Sequence, residues 1–309
     1  MADLSGVWAP ALTPFDAALE ADLPRWIAHC RSLLDNGCSG LAIFGTTSEA
    51  NSLSVDERER MLEALLASGV DPLRLLPGTG CAALPDTVRL TRRAVQAGCA
   101  GALVLPPFYY KNVSEEALFQ SYAAVIDRVA DPRLRVFLYH IPQLSGVPVP
   151  LRVIERLRAA YPQVVAGMKD SSGDWSNTAS VLEKIPGFQV FVGSERFLLQ
   201  NLRAGGAGCI TATANLNAPA IDQLFRRWRS PEAQALQDAL DQVRGVFDAL
   251  PIIPALKTAL AHAHDDPAWR TLRPPLLPLD GSQEAKLLAA LQASGWTQAA
   301  ARKVASAPA

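Results

Sequence analysis

A chain of 309 residues, 49% hydrophobic and 19% charged, is long enough to bury a sizeable core in one barrel-sized domain. Its formal net charge of −1 supplies no field for nucleic acid or for an anionic membrane surface, so its partners are expected to be small molecules recognised by local chemistry. The opening MADLSGVWAPALTPFD has no basic stretch before a long apolar run, and no later segment approaches about 18 uninterrupted apolar residues, so a cytoplasmic protein is expected.

In chain order, eight short apolar runs read as buried strands: Val7–Leu12, Leu41–Phe44, Leu73–Leu76, Ala102–Leu105, Val136–Tyr139, Val164–Met168, Val190–Val192 and Cys209–Ala212. Segments of helical spacing separate them, such as Leu23, Ile27, Cys30 and Leu34, or Leu118, Tyr122, Val125 and Val129. Ser54 with Glu57 three residues on is a capping-box pattern, and Ser114 precedes an acidic first turn. Strict alternation predicts parallel strands with right-handed crossovers, and eight units close a (β/α)8 barrel. The competing open sheet lacks a glycine-rich phosphate turn after its first strand; Gly78 and Gly80 in PGTG do not complete one.

The barrel is expected over residues 1–228, with a helical region over 229–309. There Ser230 and Pro231 read as a helix start, followed by a stripe of Leu236, Leu240, Val243, Phe247 and Leu250. Pro251 and Pro254 are expected to break that helix. A second helix is expected over Ala255–Ala263 and a third from Ser282, carrying Leu287, Leu288 and Leu291. The five cysteines are dispersed and never form C-x-x-C, which suggests neither a disulfide framework nor a metal site.

Active sites of such barrels lie at the C-terminal strand ends, so the residues delivered there are the candidates. They are Gly45–Glu49 (GTTSE), Pro106–Lys111 (PPFYYK), Tyr139–Pro142 (YHIP), Lys169, Gly193–Glu195 (GSE) and Ile210–Asn215 (ITATAN). Of six lysines only Lys169 follows a strand-like run; the other five, Lys257 among them, sit in contexts that suit solvated charges. Desolvation in general favours the neutral amine, the form that attacks a carbonyl to make a Schiff base. The plainer reading is a lysine whose stem lies along the strand end with its head in water. An amine, phenols, hydroxyls and backbone amides, with no cluster of His, Asp and Glu at metal-ligand spacing, suit Schiff-base chemistry on a 2-oxo acid with no cofactor. His140 reads as a structural hydrogen-bonding residue, and no G-x-S-x-G elbow is present.

The motifs GTTSE, YHIP, GMKDSSGD and GGAGCITATAN, in that order, resemble the dihydrodipicolinate synthase and N-acetylneuraminate lyase family of class I pyruvate-type aldolases. The resemblance spans essentially the whole chain. It implies a TIM barrel with a C-terminal helical region, assembled as a homotetramer built from two tight dimers. It also implies that Lys169 forms the Schiff base, Tyr139 is the general acid and base, and Thr46 relays protons between tyrosines. Thr47, with nearby amides such as that of Gly45, would hold the 2-oxo acid carboxylate, and Ile210 and Gly193 would line the pyruvate pocket. Tyr110, or else Tyr109, would be lent by a neighbouring subunit.

Two departures bear on substrate choice. Ser48 stands where family members usually have glycine, a change that matters if that position needs a positive φ. Leu144 stands where the semialdehyde-condensing synthases carry an arginine, which resembles the lyase branch and puts the synthase activity in doubt. From Leu144 an uncharged aldehyde partner is expected, with Glu195, if it faces the pocket, accepting hydrogen bonds from a polyol. The reading from outside enzymology is a barrel that binds a small carboxylate without turning it over.

Overall fold

The apolar runs pair side by side as parallel strands: β1 (Gly6–Ala9), β2 (Gly40–Leu41), β3 (Ala102–Val104), β4 (Val136–His140), β5 (Val165–Asp170), β6 (Gln189–Val192) and β7 (Gly208–Ile210). Their order is β2-β1-β7-β6-β5-β4-β3 in a computed structural model that describes residues 4–297. The remaining expected run, Leu73–Leu76, begins in a 3-10 turn at Pro72–Arg74 and continues as an interrupted strand that closes the circle. Leu76 N–H donates to the Leu41 carbonyl at 2.8 Å and Gly78 N–H to that of Ile43 at 2.7 Å; on the other side Leu103 N–H reaches the Pro77 carbonyl at 2.8 Å. Pro77 has no N–H to give, which is why regular pairing here shrinks to bridges at Leu75 and Gly78. A Cβ on Gly78 would lie 2.2 Å from the Phe44 carbonyl oxygen, so this glycine serves close backbone approach. The fold is the expected (β/α)8 barrel with a C-terminal helical part.

The crossovers carry α1 (Leu23–Asp35), α2 (Val55–Ala67), α3 (Leu84–Gln96), α4 (Glu115–Val129), α5 (Pro142–Ser145), α6 (Leu151–Ala160), α7 (Trp175–Lys184), α8 (Leu198–Arg203) and α9 (Ala214–Arg227). Both halves of the Ser54–Glu57 capping box form, and Ser114 accepts from Ala117 N–H at 3.1 Å. Beyond the barrel come α10 (Ala233–Asp248), α11 (Ile252–His264) and α12 (Gly281–Ala293). Pro254, expected as a breaker, lies in the first turn of α11, where a missing N–H costs no intrahelical bond. Helix α12 starts one residue before the expected Ser282, behind an Asp280–Gln283 capping box. No single described helix is long and apolar enough to cross a membrane.

The α10 stripe buries Leu240, Val243 and Phe247; Val243 and Phe247 join Leu12, Ala212 and Leu216, with Leu256 and Leu260 of α11, in one apolar cluster. Because Leu12 and Ala212 follow β1 and β7, this packing places the C-terminal helices over the C-terminal mouth of the barrel. Asn215 fastens the seam beneath them: its side chain bonds Leu12 N–H at 3.0 Å, the Pro10 and Ala212 carbonyls at 3.1 and 2.8 Å, and His29 Nε2 at 2.8 Å. Lys257 departs from the expected solvated lysine. It is fully buried on α11, donates to the Thr271 carbonyl at 2.9 Å, lies 4.6 Å from the Phe15 ring centre and pairs with the buried carboxylate of Glu49.

Burial pushes the Lys257 ammonium down and the Glu49 carboxyl up from their ordinary values, and each group opposes the shift of the other. Replacing Lys257 by Met strands a buried carboxylate and should lower unfolding free energy by about 3–5 kcal/mol, whereas Lys257→Met with Glu49→Leu should regain most of that loss. Urea unfolding of the three proteins checks it; equal instability of the single and double variants would contradict it. The second prediction concerns acid. Burial drives His29 from the ordinary 6.5 to about 4, partly opposed by its bond to Asn215 and reinforced by the charge of His264. The folded value lies below the unfolded one, so the unfolded chain binds the extra proton; this contribution is full above pH 6.5 and fades as pH falls towards 4. Between neutral pH and pH 4.5 the wild type should lose about 2–3 kcal/mol more than His29→Gln. Equal losses in paired denaturation curves would assign the acid sensitivity elsewhere.

Candidate active site

The site is set by how β5 lies against β4. Val136 pairs with Val165, the register then slips by one, and from Phe137 with Gly167 onward the pairing runs through to Tyr139 with Lys169. Val165 and Met168 face the outer apolar layer with Val136 and Leu138, whereas Ala166 faces the barrel interior with Phe137, Tyr139 and Phe191. Simple alternation from Val165 would turn Lys169 outward with the helices. The extra residue at Ala166–Gly167 is a bulge, and it re-aims the lysine inward. Gly167 makes the bulge feasible, since a Cβ there would sit 2.2 Å from the Gln189 carbonyl oxygen and 2.8 Å from the Phe137 ring.

Lys169 is 4% exposed, and its Nζ donates to the Tyr139 hydroxyl at 3.2 Å. The same hydroxyl meets Thr46 Oγ1 at 3.2 Å, so amine, phenol and alcohol form a continuous chain. Thr46 and Thr47 sit in a loop held in a sharp turn by positive φ at Phe44 (59°) and Glu49 (56°). The strain is secured by tertiary contacts. The Phe44 ring stacks on Trp26 at 5.7 Å, and Glu49 is anchored by Lys257. Ser48 does not have positive φ, so the departure from glycine leaves this backbone unstrained, and its carbonyl accepts from Thr13 Oγ1 at 2.7 Å. Past Lys169, Asp170 pins the following turn by accepting from Ser172 N–H and Oγ, Asn177 Nδ2 and Thr178 Oγ1 at 2.7–2.9 Å. His140 takes the structural role expected of it, accepting from Val149 N–H through Nδ1 at 3.0 Å.

These groups open into a cavity of about 330 Å³ at the strand C-termini. Thr46, Thr47, Tyr139, Lys169, Gly193 and Leu144 are on its wall. Gly45 adjoins the wall through Thr46, and Ile210 is fully buried in the interior layer with Tyr139. Tyr109 and Tyr110 are not on the wall; they stand 72% and 73% exposed, edge to face with each other. Lys111 holds their loop against the next one by donating to the Ser145 carbonyl at 2.7 Å.

Glu195 requires correction. It is fully buried outside the cavity wall and takes its hydrogen bonds from Thr211, at 2.5 Å, Thr213 and Arg244 Nη1, at 3.2 Å, so it is not presented to a substrate. Its partner Arg244, on α10, does reach the wall, together with Arg196 and Asp248. Asp248 lies between the two arginines, 2.7 Å from Arg244 Nε and 2.9 Å from Arg196 Nε. Burial pushes the Arg244 guanidinium down, but Glu195 and Asp248 outweigh it and hold the group above its ordinary value, so it stays charged. The expectation of an uncharged aldehyde partner is drawn from Leu144 alone; Leu144 is 64% exposed at the rim, and two cations supplied by other elements face the same space. A signal for Arg244 was present in the sequence. It stands four residues after Leu240 and three before Phe247, a charge inside the buried face of an amphipathic helix.

The profile of the dihydrodipicolinate synthetase family matches residues 3–294. An uncharacterised DapA-like lyase of Chloroflexus aurantiacus is 38% identical, with 94% of this chain and 97% of that protein covered. A 4-hydroxy-tetrahydrodipicolinate synthase of Thermus thermophilus is 32% identical over 90% and 92%. Among solved structures, dihydrodipicolinate synthase from Agrobacterium tumefaciens superposes with a TM-score of 0.87 at 30% identity, covering 93% of this chain and 98% of that one. YagE, an E. coli K12 prophage protein of the dihydrodipicolinic acid synthase family solved with pyruvate, gives 0.87 at 27% identity, covering 95% and 99%. Matched in sequence from end to end of the described barrel and helices, and in fold, this chain belongs to the dihydrodipicolinate synthetase family.

Proposed function

We propose that the protein is a class I aldolase or lyase that binds pyruvate or a longer 2-oxo acid as an imine on Lys169 and makes or breaks a carbon–carbon bond to an aldehyde, with or without dehydration. The observation that carries this reading is the chain Lys169 Nζ, Tyr139 OH, Thr46 Oγ1, with both links at 3.2 Å, at the wall of a cavity. The amine adds to the ketone carbon, and the carbinolamine loses water to give the imine. Tyr139 supplies and recovers the proton, with Thr46 as its exchange partner. Loss of a proton from the adjacent carbon gives an enamine that attacks the aldehyde, and the reverse sequence cleaves the bond. Thr47 and the loop amides offer donors to the substrate carboxylate.

Condensation of pyruvate with aspartate semialdehyde is the second reading, supported by similarity to the Thermus synthase, with Leu144 against it because leucine makes no charged clamp. A barrel that binds without turnover has no use for the amine, phenol and alcohol held in contact. Tyr110, exposed and away from the wall, joins the site only if a second copy lends it, so the active unit is proposed to be an oligomer, and a homotetramer of two tight dimers is the form the family resemblance implies.

Borohydride with pyruvate should add one reduced pyruvoyl unit at Lys169, read by intact and peptide mass, and nothing to Lys169→Ala. Tyr139→Phe keeps the ring and should cut turnover by about 10²–10⁴-fold with little loss of stability. Labelling at another lysine, or normal turnover in the phenylalanine variant, would sink these assignments. Sedimentation at micromolar protein should give an oligomer; a fully active monomer would exclude the shared tyrosine.

A further inference from the structure

Resting on the imine reading above, we propose that Arg244 and Arg196 form the specificity end of the cavity and bind a second carboxylate, carried by the part of the substrate distal to the 2-oxo group. The argument begins with which polar groups are already committed. Glu195 is wholly buried, with both oxygens engaged by Thr211, Thr213 and Arg244. Each oxygen of Asp248 faces one arginine Nε. Arg244 spends Nε on Asp248 and Nη1 on Glu195 and Thr211, and among the described residues nothing accepts from its Nη2. Arg196 spends only Nε, and its guanidinium lies close to Gly245, the residue that follows Arg244 on α10. What remains uncommitted around Asp248 is a set of guanidinium N–H donors.

An acceptor-rich group satisfies such a set. A carboxylate offers two oxygens in one plane to two N–H groups, the geometry guanidinium matches best. A polyol offers one acceptor per hydroxyl and brings protons that need acceptors of their own, and the carboxylate lying between the two guanidinium groups, Asp248, is already paired with both. Arg244 is 12% exposed and anchored through Nη1 by the buried Glu195 and Thr211 and through Nε by the exposed Asp248, so its orientation is fixed before a ligand arrives and little rotamer freedom is lost on binding. Lys169 and the two arginines share one cavity, so a single molecule with carboxylates at both ends spans it: the 2-oxo acid end at Lys169 and Thr47, the far end at the arginines.

The alternative is that Arg244 merely staples α10 to the barrel. A staple would change stability without changing which ligand is preferred, so the readout is a ratio. Titration calorimetry should compare 2-oxoadipate with 2-oxohexanoate, which share a chain and differ in the terminal carboxylate, and with 3-deoxy-2-oxogluconate, whose hydroxylated chain ends without a second one. Wild-type protein should bind 2-oxoadipate about 10–100-fold more tightly than 2-oxohexanoate. In Arg244→Gln that ratio should fall to near one, and in Arg196→Gln part of the way. If Arg244→Gln does not fold because Glu195 is stranded, Glu195→Gln combined with Arg244→Gln relieves the buried charge and should show the same collapse. Equal binding of the two acids by the wild type, tighter binding of the hydroxylated ligand, or a preference that survives in the variants would overturn the proposal. Borohydride trapping of the same ligands, run in parallel, reports on Lys169 alone. Failure to trap with a surviving carboxylate preference rejects the imine and keeps the arginine site, and the converse rejects the arginines only.

Discussion

One backbone irregularity, the bulge at Ala166–Gly167, decides what this barrel can do. Strands β4 and β5 start in a register that would set Tyr139 opposite Met168, and the inserted residue advances it so that Tyr139 meets Lys169. In a strand, one residue is the difference between two faces. Without the bulge the amine would point among the surrounding helices, and Tyr139 would stand beside Met168, which offers the phenol no amine. With it, the amine and the phenol lie on adjacent strands in hydrogen-bond contact, held by the rigid wall of the barrel. Gly167 and the β-carbon clash that any other residue would bring there belong to the same device.

The second organising feature is charge buried with its partner. Glu49 with Lys257, and Glu195 with Arg244, each join a loop at the C-terminal end of the barrel to the helices lying over it. Such pairs contribute little net stability compared with apolar packing, but their geometry is specific and their disruption costly. The first pair holds the loop that presents Thr46 and Thr47. The second holds a guanidinium at the cavity wall. The helices after the barrel are thus part of the site: α11 fixes its hydroxyl loop from behind, and α10 supplies part of its wall.

Much of this was legible in the sequence. Eight apolar runs separated by helical segments indicated the barrel, because buried parallel strands are short and continuously apolar while helices repeat every three to four residues. Only the third run lost its regular pairing, through Pro77, whose lack of an N–H is itself written in the sequence. The catalytic candidates Lys169, Tyr139 and Thr46 also came from the sequence, since strand-end motifs in such barrels converge on one mouth whatever their separation along the chain.

Other features depended on distance between elements remote in sequence, which no local pattern carries. The direction of Lys169 required the register of β5 against β4, a property of two strands together. Glu195 was a candidate because it falls at the end of a strand-like run, yet Thr211, Thr213 and Arg244, 16 to 49 residues away, enclose it. Lys257 looked like a surface lysine on a helix; the packing of α11 against the barrel mouth made it a core residue facing Glu49. The sequence by itself determined the kinds of element, their order and the chemistry at their ends, because these follow from the backbone and side-chain preferences of neighbouring residues. Tertiary structure alone decided which charges meet, since a charge is buried only where another part of the chain arrives to neutralise it.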